Sequence, residues 1–143
     1  MSEQSIHLVF DVDGKNFSSA GKASEAVKSK LKLLGISSAD IRRVAIAMYE
    51  GEINMVIHAG GGTATADIFV DRIEIVLEDH GKGIENIDQA MMPGFSTAPD
   101  DIRALGFGAG MGLPNMKKYT DEFELKSAVG VGTIIKMIIQ FKN

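Results

Sequence analysis

The order of strand-prone and helical segments predicts an α/β (α+β) two-layer sandwich, a mostly antiparallel sheet with about three helices on one face. Three observations carry this. Two pairs of strand-like runs are each joined by a short turn, Ala64–Val70 with Ile73–Glu78 and Glu122–Ser127 with Thr133–Phe141. Two helical patterns follow one another directly ahead of the first pair. No strand–helix–strand alternation of a parallel sheet is present.

In chain order, Ile6–Phe10 is a β-prone run closed by the turn signal Asp11-Val12-Asp13-Gly14. From about Ser18 to Leu34, Ala26, Val27, Leu31 and Leu34 recur at helical spacing, with Gly35 as the stop. Ser37 and Ser38 offer N-caps, with Asp40 in the first turn, for a second helix reaching Ala59, where Gly60-Gly61-Gly62 ends it. After the first strand pair, 81–108 reads as loop with a short helix near Ile84–Met91. A further helix is expected over Met111–Tyr119, ahead of the last two strands. At 143 residues without repeat or linker, the chain 1–143 reads as one domain.

Composition narrows the function. There are no cysteines, which excludes disulfides, thiolate metal sites and cysteine nucleophiles, and fits a reducing cytoplasm. A formal net charge of −4 gives no electrostatic footprint for nucleic acid or anionic membrane. The start, Met1–Ser5, is polar and shows no secretion signal, and no apolar run approaches the ~20 residues of a membrane span. Sixteen glycines against three prolines is the oddity, and the glycines cluster as loops that let backbone approach a ligand would.

Three features carry chemistry. On the second helix, with Ile46 at zero and a 3.6-residue turn, Glu50 falls at about 40° and Asn54 at about 80°, beside Ile53 and Ile57. The pair is either a solvated helix edge or a general base with an amide ligand for a hard cation such as Mg²⁺. Second, the strand ending at Glu78 runs into Asp79-His80-Gly81-Lys82-Gly83-Ile84. A carboxylate followed by glycines is either a plain turn or an acceptor for an adenine amino group in a slot that admits a flat ligand. Third, Gly106-Phe107-Gly108-Ala109-Gly110-Met111-Gly112-Leu113 precedes a helix and suits an anion, phosphate above all. It is neither a Walker loop nor a dinucleotide fingerprint. His7 and His80 read as ordinary strand and turn residues.

Taken in order, these features resemble the GHKL (Bergerat-fold) ATPases, the gyrase, Hsp90, histidine kinase and MutL relatives. Glu50-x-x-x-Asn54 matches the N box, Asp79-x-Gly81-x-Gly83-Ile84 the G1 box and Gly108-x-Gly110-x-Gly112-Leu113 the G2 box. Gly130-Val131-Gly132-Thr133 resembles the closing Gly-x-Gly-Thr, whose threonine supports the adenine-reading aspartate. Within the superfamily the chain is most similar to the bacterial anti-sigma factor serine/threonine kinases. Its length, the stretch Glu50–Gly62, Gly94-Phe95-Ser96-Thr97, and Gly112–Lys118 followed by Asp121-Glu122-Phe123 carry that likeness.

The resemblance implies ATP and Mg²⁺ as cofactors. It implies Glu50 as the base on a protein serine, Asn54 as the Mg²⁺ ligand and Asp79 as the reader of adenine N6. Gly81, Gly83, Ile84, Leu113 and Thr133 complete the nucleotide site, and Gly108, Gly110 and Gly112 contact phosphates. The implied partners are a sigma factor or regulator and an antagonist protein, with a homodimer admitted and neither nucleic acid nor membrane among them. Lys82, Arg103, Lys117 and Lys118 are further phosphate candidates. The segment Gln89–Phe107, the lid candidate, is short and carries Asp100-Asp101 with Arg103 its one cation. Two other functions use the same motifs: an ATP-dependent binding switch without phosphotransfer, and a detached histidine-kinase catalytic domain.

Overall fold

The computed structural model describes residues 4–15, 20–92 and 112–142. Five strands form one antiparallel sheet in the order β1-β2-β3-β5-β4. They are β1 Ile6–Asp13, β2 Gly61–Ile68, β3 Arg72–Asp79, β4 Glu122–Ala128 and β5 Gly132–Gln140. The helices are α1 Lys22–Leu33, α2 Ser38–Ala59, the single turn α3 Ile87–Ala90 and, as the fourth element here, α4 Gly112–Lys118.

The second helix is the keel of the fold. Ser37 caps it by accepting the Asp40 N–H at 3.3 Å, and Gly60 ends it in the left-handed conformation at φ 73°. Its deepest burial runs through Val44, Ala47, Met48, Gly51 and Met55. That is the opposite side from Ile46 and Ile57, which stay half-exposed. Gly51 explains how closely α2 lies on the sheet: a Cβ there would come within 2.1 Å of Leu77 Cδ1. A mid-helix glycine costs about 1 kcal/mol against alanine, and close packing on β3 is what it permits. Beneath it lie Ile73, Ile75 and Leu77 of β3 and Ile135, Met137 and Ile139 of β5. Val27 and Leu31 of α1 and Met116 of α4 join the same core. Each such aliphatic side chain contributes about 1.5–3 kcal/mol on burial.

Several boundaries differ from the sequence expectation. Asp11-Val12-Asp13 continues β1, because Val12 turns toward the core while both aspartates face outward and keep the alternation. The first helix starts at Lys22, and residues 18 and 19 of the expected span lie outside the described ones. Gly61 and Gly62 do not merely stop α2; they open β2, where a Cβ on either would meet Val12 O at 2.2 Å or Glu78 O at 2.3 Å. The expected helix over Ile84–Met91 shrinks to one turn capped by Asn86, whose side chain accepts the Gln89 N–H.

At the far end of the sheet a charged staple ties the start of α2 to Asp121 and to the end of β5. Arg43 reaches Asp40 at 3.2 Å, Asp121 at 2.7 Å and the Gln140 carbonyl at 3.0 Å. Asp40, 2 % exposed, also accepts the Lys142 N–H at 2.8 Å. Burial works against the Asp121 carboxylate. The Gln140 N–H and the Arg43 guanidinium, helped by Lys142, outweigh it and hold the group below its ordinary value.

Candidate functional site

Three pieces of chain meet at the end of the sheet opposite that staple. The first is the middle of α2. Glu50 is half-buried, and its carboxylate accepts a hydrogen bond from the Asn115 side chain of α4. Burial raises its pKa above the ordinary 4.5, and the Asn115 bond only partly offsets this. A Cβ added to Gly112 would sit 3.4 Å from Glu50 Oε2, so the carboxylate lies against the first turn of α4. Asn54, one turn on, is half-buried, and none of the described residues hydrogen-bonds its amide.

The second piece is the turn after β3. Asp79 Oδ1 accepts two backbone N–H groups, from Gly81 at 2.9 Å and from Thr133 at 3.2 Å. Both fall on one oxygen, and no donor among the described residues engages Oδ2. The carboxylate is thereby clamped with one acceptor face committed to the protein.

The glycines of this turn have a structural reason the sequence reading did not anticipate. They let backbone pack on backbone. A Cβ on Gly81 would meet Ala59 Cα at 2.7 Å; on Gly83, at φ 79°, it would meet Ala128 O at 2.4 Å. On Gly132 it would meet Asp79 O at 2.1 Å. The turn is therefore wedged between the C-terminus of α2 and the β4–β5 hairpin, an arrangement only glycine allows. His58, the penultimate residue of α2, is held below its ordinary pKa by burial and then by the nearby Lys82 charge.

The third piece is that hairpin. Ser127 Oγ accepts the Ile84 N–H at 2.8 Å, lies 2.8 Å from Thr133 Oγ1 and reaches the Gly132 carbonyl at 3.1 Å. Gly130 N–H donates to Lys82 O at 2.8 Å. Thr133 does support Asp79, but through its backbone N–H; its hydroxyl is turned to Ser127.

The sequence-derived residues thus fall into two groups, Glu50 with Gly112 on one side and Asp79 with Gly81, Gly83, Ile84 and Thr133 on the other. Leu113 is 7 % exposed and belongs to the hydrophobic core. Gly108, Gly110, Arg103 and residues 93–107 of the lid candidate lie outside the described residues. Two residues the motif reading gave no role, Asn115 and Ser127, are built into the site. Neither has a signal in periodicity or local spacing, because each acts on a residue far away in sequence. No group of three or more acidic or histidine side chains among the described residues could hold a metal alone. A cation here therefore needs ligand oxygens besides Asn54, which suits a phosphate-borne Mg²⁺.

This fold and site define the class. The histidine kinase-like ATPase domain family matches residues 16–139, and the chain belongs to it. Among curated relatives, the serine/threonine-protein kinase RsbT of Bacillus subtilis is 35% identical over 120 residues, covering 81% of this chain and 84% of that one. An anti-sigma F factor of Clostridium acetobutylicum is 32% identical over 146 residues, covering 99% and 96%. One from Caldanaerobacter subterraneus is 37% identical over 103 residues, covering 68% of each. Among solved structures, the RsbU and RsbW domains of a Mycobacterium tuberculosis protein superpose with a TM-score of 0.67 at 15% identity, covering 96% of this chain and 33% of that one. The mycobacterial sensor histidine kinase MprB superposes at 0.53 and 17% identity, covering 96% and 99%. These two likenesses speak for the fold. Its curated relatives put the chain with the anti-sigma kinases of that family.

Proposed function

We propose that this protein binds Mg-ATP between α2 and the turn after β3 and transfers the γ-phosphate to a serine or threonine of a small antagonist protein. It would hold a sigma factor or its regulator according to nucleotide state, in the cytoplasm. The observation that carries the reading is the clamped Asp79, with Oδ1 bound by two N–H groups and Oδ2 met by no donor among the described residues. A fixed acceptor beside a glycine turn matches the exocyclic amino group of adenine and repels the carbonyl of guanine.

ATP with its Mg²⁺ supplies the transferable phosphoryl group and neutralises charge building on it. Asn54 would hold the metal through its amide oxygen, with phosphates and waters completing the shell. Gly108, Gly110 and Gly112 would offer backbone N–H groups to the phosphates. Glu50, made more basic by its burial, takes the proton from the attacking hydroxyl. Asn115 keeps that carboxylate pointed at the start of α4. RsbT is named a serine/threonine-protein kinase, which favours transfer over a binding switch.

The test is incubation with γ-labelled ATP and a small antagonist protein bearing the acceptor serine. Label should move to that serine and should need Glu50. Tight ATP binding with label that never reaches protein would leave only the switch.

A further inference from the structure

Between Glu50 and Asn54 stands a carboxylate that the mechanism above does not use. Glu52 is 2 % exposed, and no lysine or arginine among the described residues pairs with it. Its partners are backbone: Oε2 accepts Gly21 N–H at 3.0 Å and Ala23 N–H at 3.2 Å, and Oε1 accepts Ser24 N–H at 2.7 Å. These are donors of the N-cap, Gly21, and of the first turn of α1. The helix has no cap of its own, since Gly21, at φ 99°, carries no side chain. Ser24 Oγ closes the turn onto Gly21 O at 3.0 Å. A buried charge with three backbone donors at a helix N-terminus is well satisfied, and removing it orphans all three.

A local serine or aspartate cap is closed to α1, because position 21 sits at φ 99° and a Cβ there would come within 3.1 Å of the Tyr49 ring. The cap comes instead from the helix that carries both Glu50 and Asn54. Glu52 projects about 200° round α2 from Glu50, so its bonds grip α2 from behind the cleft. We propose that Glu52 is a positioning residue: by gripping the first turn of α1 it fixes the rotation of α2, and with it the places of Glu50 and Asn54. A carboxylate lies about 5–6 Å from a helix axis, so a 20° roll of α2 carries Glu50 about 2 Å from Gly112 and Asn115. Misplacement by about 1 Å can cost about a hundredfold in rate. Adenine recognition is spared, because Asp79, Gly81 and Thr133 belong to β3, its turn and β5.

The inference rests on the roles given above to Glu50 and Asn54, and the test separates the two. Wild type, Glu52→Gln, Glu52→Asp and Asn54→Ala are titrated with ATP by calorimetry, with and without Mg²⁺, well below each melting temperature. Glu52→Gln turns an amide N–H₂ toward backbone donors; Glu52→Asp keeps the charge but falls short by one methylene, and serves if the glutamine variant is poorly folded. Metal-free ATP affinity should stay within about threefold, while the gain from Mg²⁺ and the single-turnover consumption of γ-labelled ATP each fall about tenfold or more. A merely structural loss would lower the folded fraction and leave the Mg²⁺ gain per folded molecule intact; that result overturns the proposal. If Asn54→Ala loses the Mg²⁺ gain and both Glu52 variants keep it, only the positioning role fails. If Asn54→Ala keeps it too, the metal reading itself fails.

Discussion

Replacing Asp79 by asparagine isolates one acceptor. The Gly81 and Thr133 N–H groups, at 2.9 and 3.2 Å, both need an oxygen, so they orient the new amide with its oxygen where Oδ1 was. The amide nitrogen then replaces Oδ2 and points two N–H bonds at the cleft. Folding should lose little, since both backbone bonds survive with a neutral acceptor. ATP loses a charge-assisted hydrogen bond worth about 1.5–3 kcal/mol and meets donor against donor, a further about 1–3 kcal/mol. At about 1.4 kcal/mol per tenfold, the dissociation constant rises by roughly sixtyfold to twenty-thousandfold. Calorimetric titration with ATP and Mg²⁺, beside a thermal melt of each protein, checks both halves. An affinity within about threefold of wild type, less than about 0.7 kcal/mol, in a protein that melts normally would refute the assignment of Asp79 to adenine.

Other perturbations test the remaining parts. Glu50→Gln should cut phosphoryl transfer by about 10²–10⁴ while ATP still binds. Burial raises the Glu50 pKa above 4.5, so wild-type transfer should fade, as pH drops, at a pH higher than a solvent-exposed glutamate would give. The folded state binds this proton more tightly than the unfolded one. Its contribution to stability is full below 4.5 and lost as pH rises through the raised value, so near neutrality Glu50→Gln should melt no lower than wild type. Gly83→Ala places a methyl 2.4 Å from Ala128 O at φ 79° and should cost at least about 2 kcal/mol in urea unfolding, counting left-handed strain and clash together. An unchanged midpoint would mean the turn is not wedged as described. Arg43→Ala strips a donor from both Asp40 and Asp121 and should cost about 1–2 kcal/mol. In wild type the depressed Asp121 group adds stability above its unfolded value of 3.8, lost as pH falls through the lower folded value. Acid unfolding of Asp121→Asn should lack that component.

Much of the fold could be read from the sequence because its signals are local. Ser37 and Gly60 bound α2 as their capping chemistry dictates, and the strand pairs announce themselves by β-prone runs separated by short turns. The reading failed where a local signal served a distant contact. Asp11-Val12-Asp13-Gly14 looks like a turn, yet β2 recruits its first three residues as strand. Gly61 and Gly62 look like a helix stop, but they also allow β1 and β3 to close on β2. In the site, Glu50, Asn54 and Asp79 stood out as polar groups in motif spacing. Glu52 did not, because its partners lie 28 to 31 residues away and are backbone donors with no side-chain signature. The side of α2 that packs on the sheet was equally hidden, since Gly51 rather than an isoleucine marks the closest approach.

The central claim, an adenine nucleotide held by Asp79 beside α2, is tested most directly by titrating the wild-type protein with ATP-Mg²⁺ and with GTP-Mg²⁺ in one calorimetric series. ATP should bind and raise the melting temperature. GTP, which turns a carbonyl toward the fixed carboxylate, should bind at least about a hundredfold more weakly. Equal affinities, or no heat and no stabilisation with either, would contradict the account.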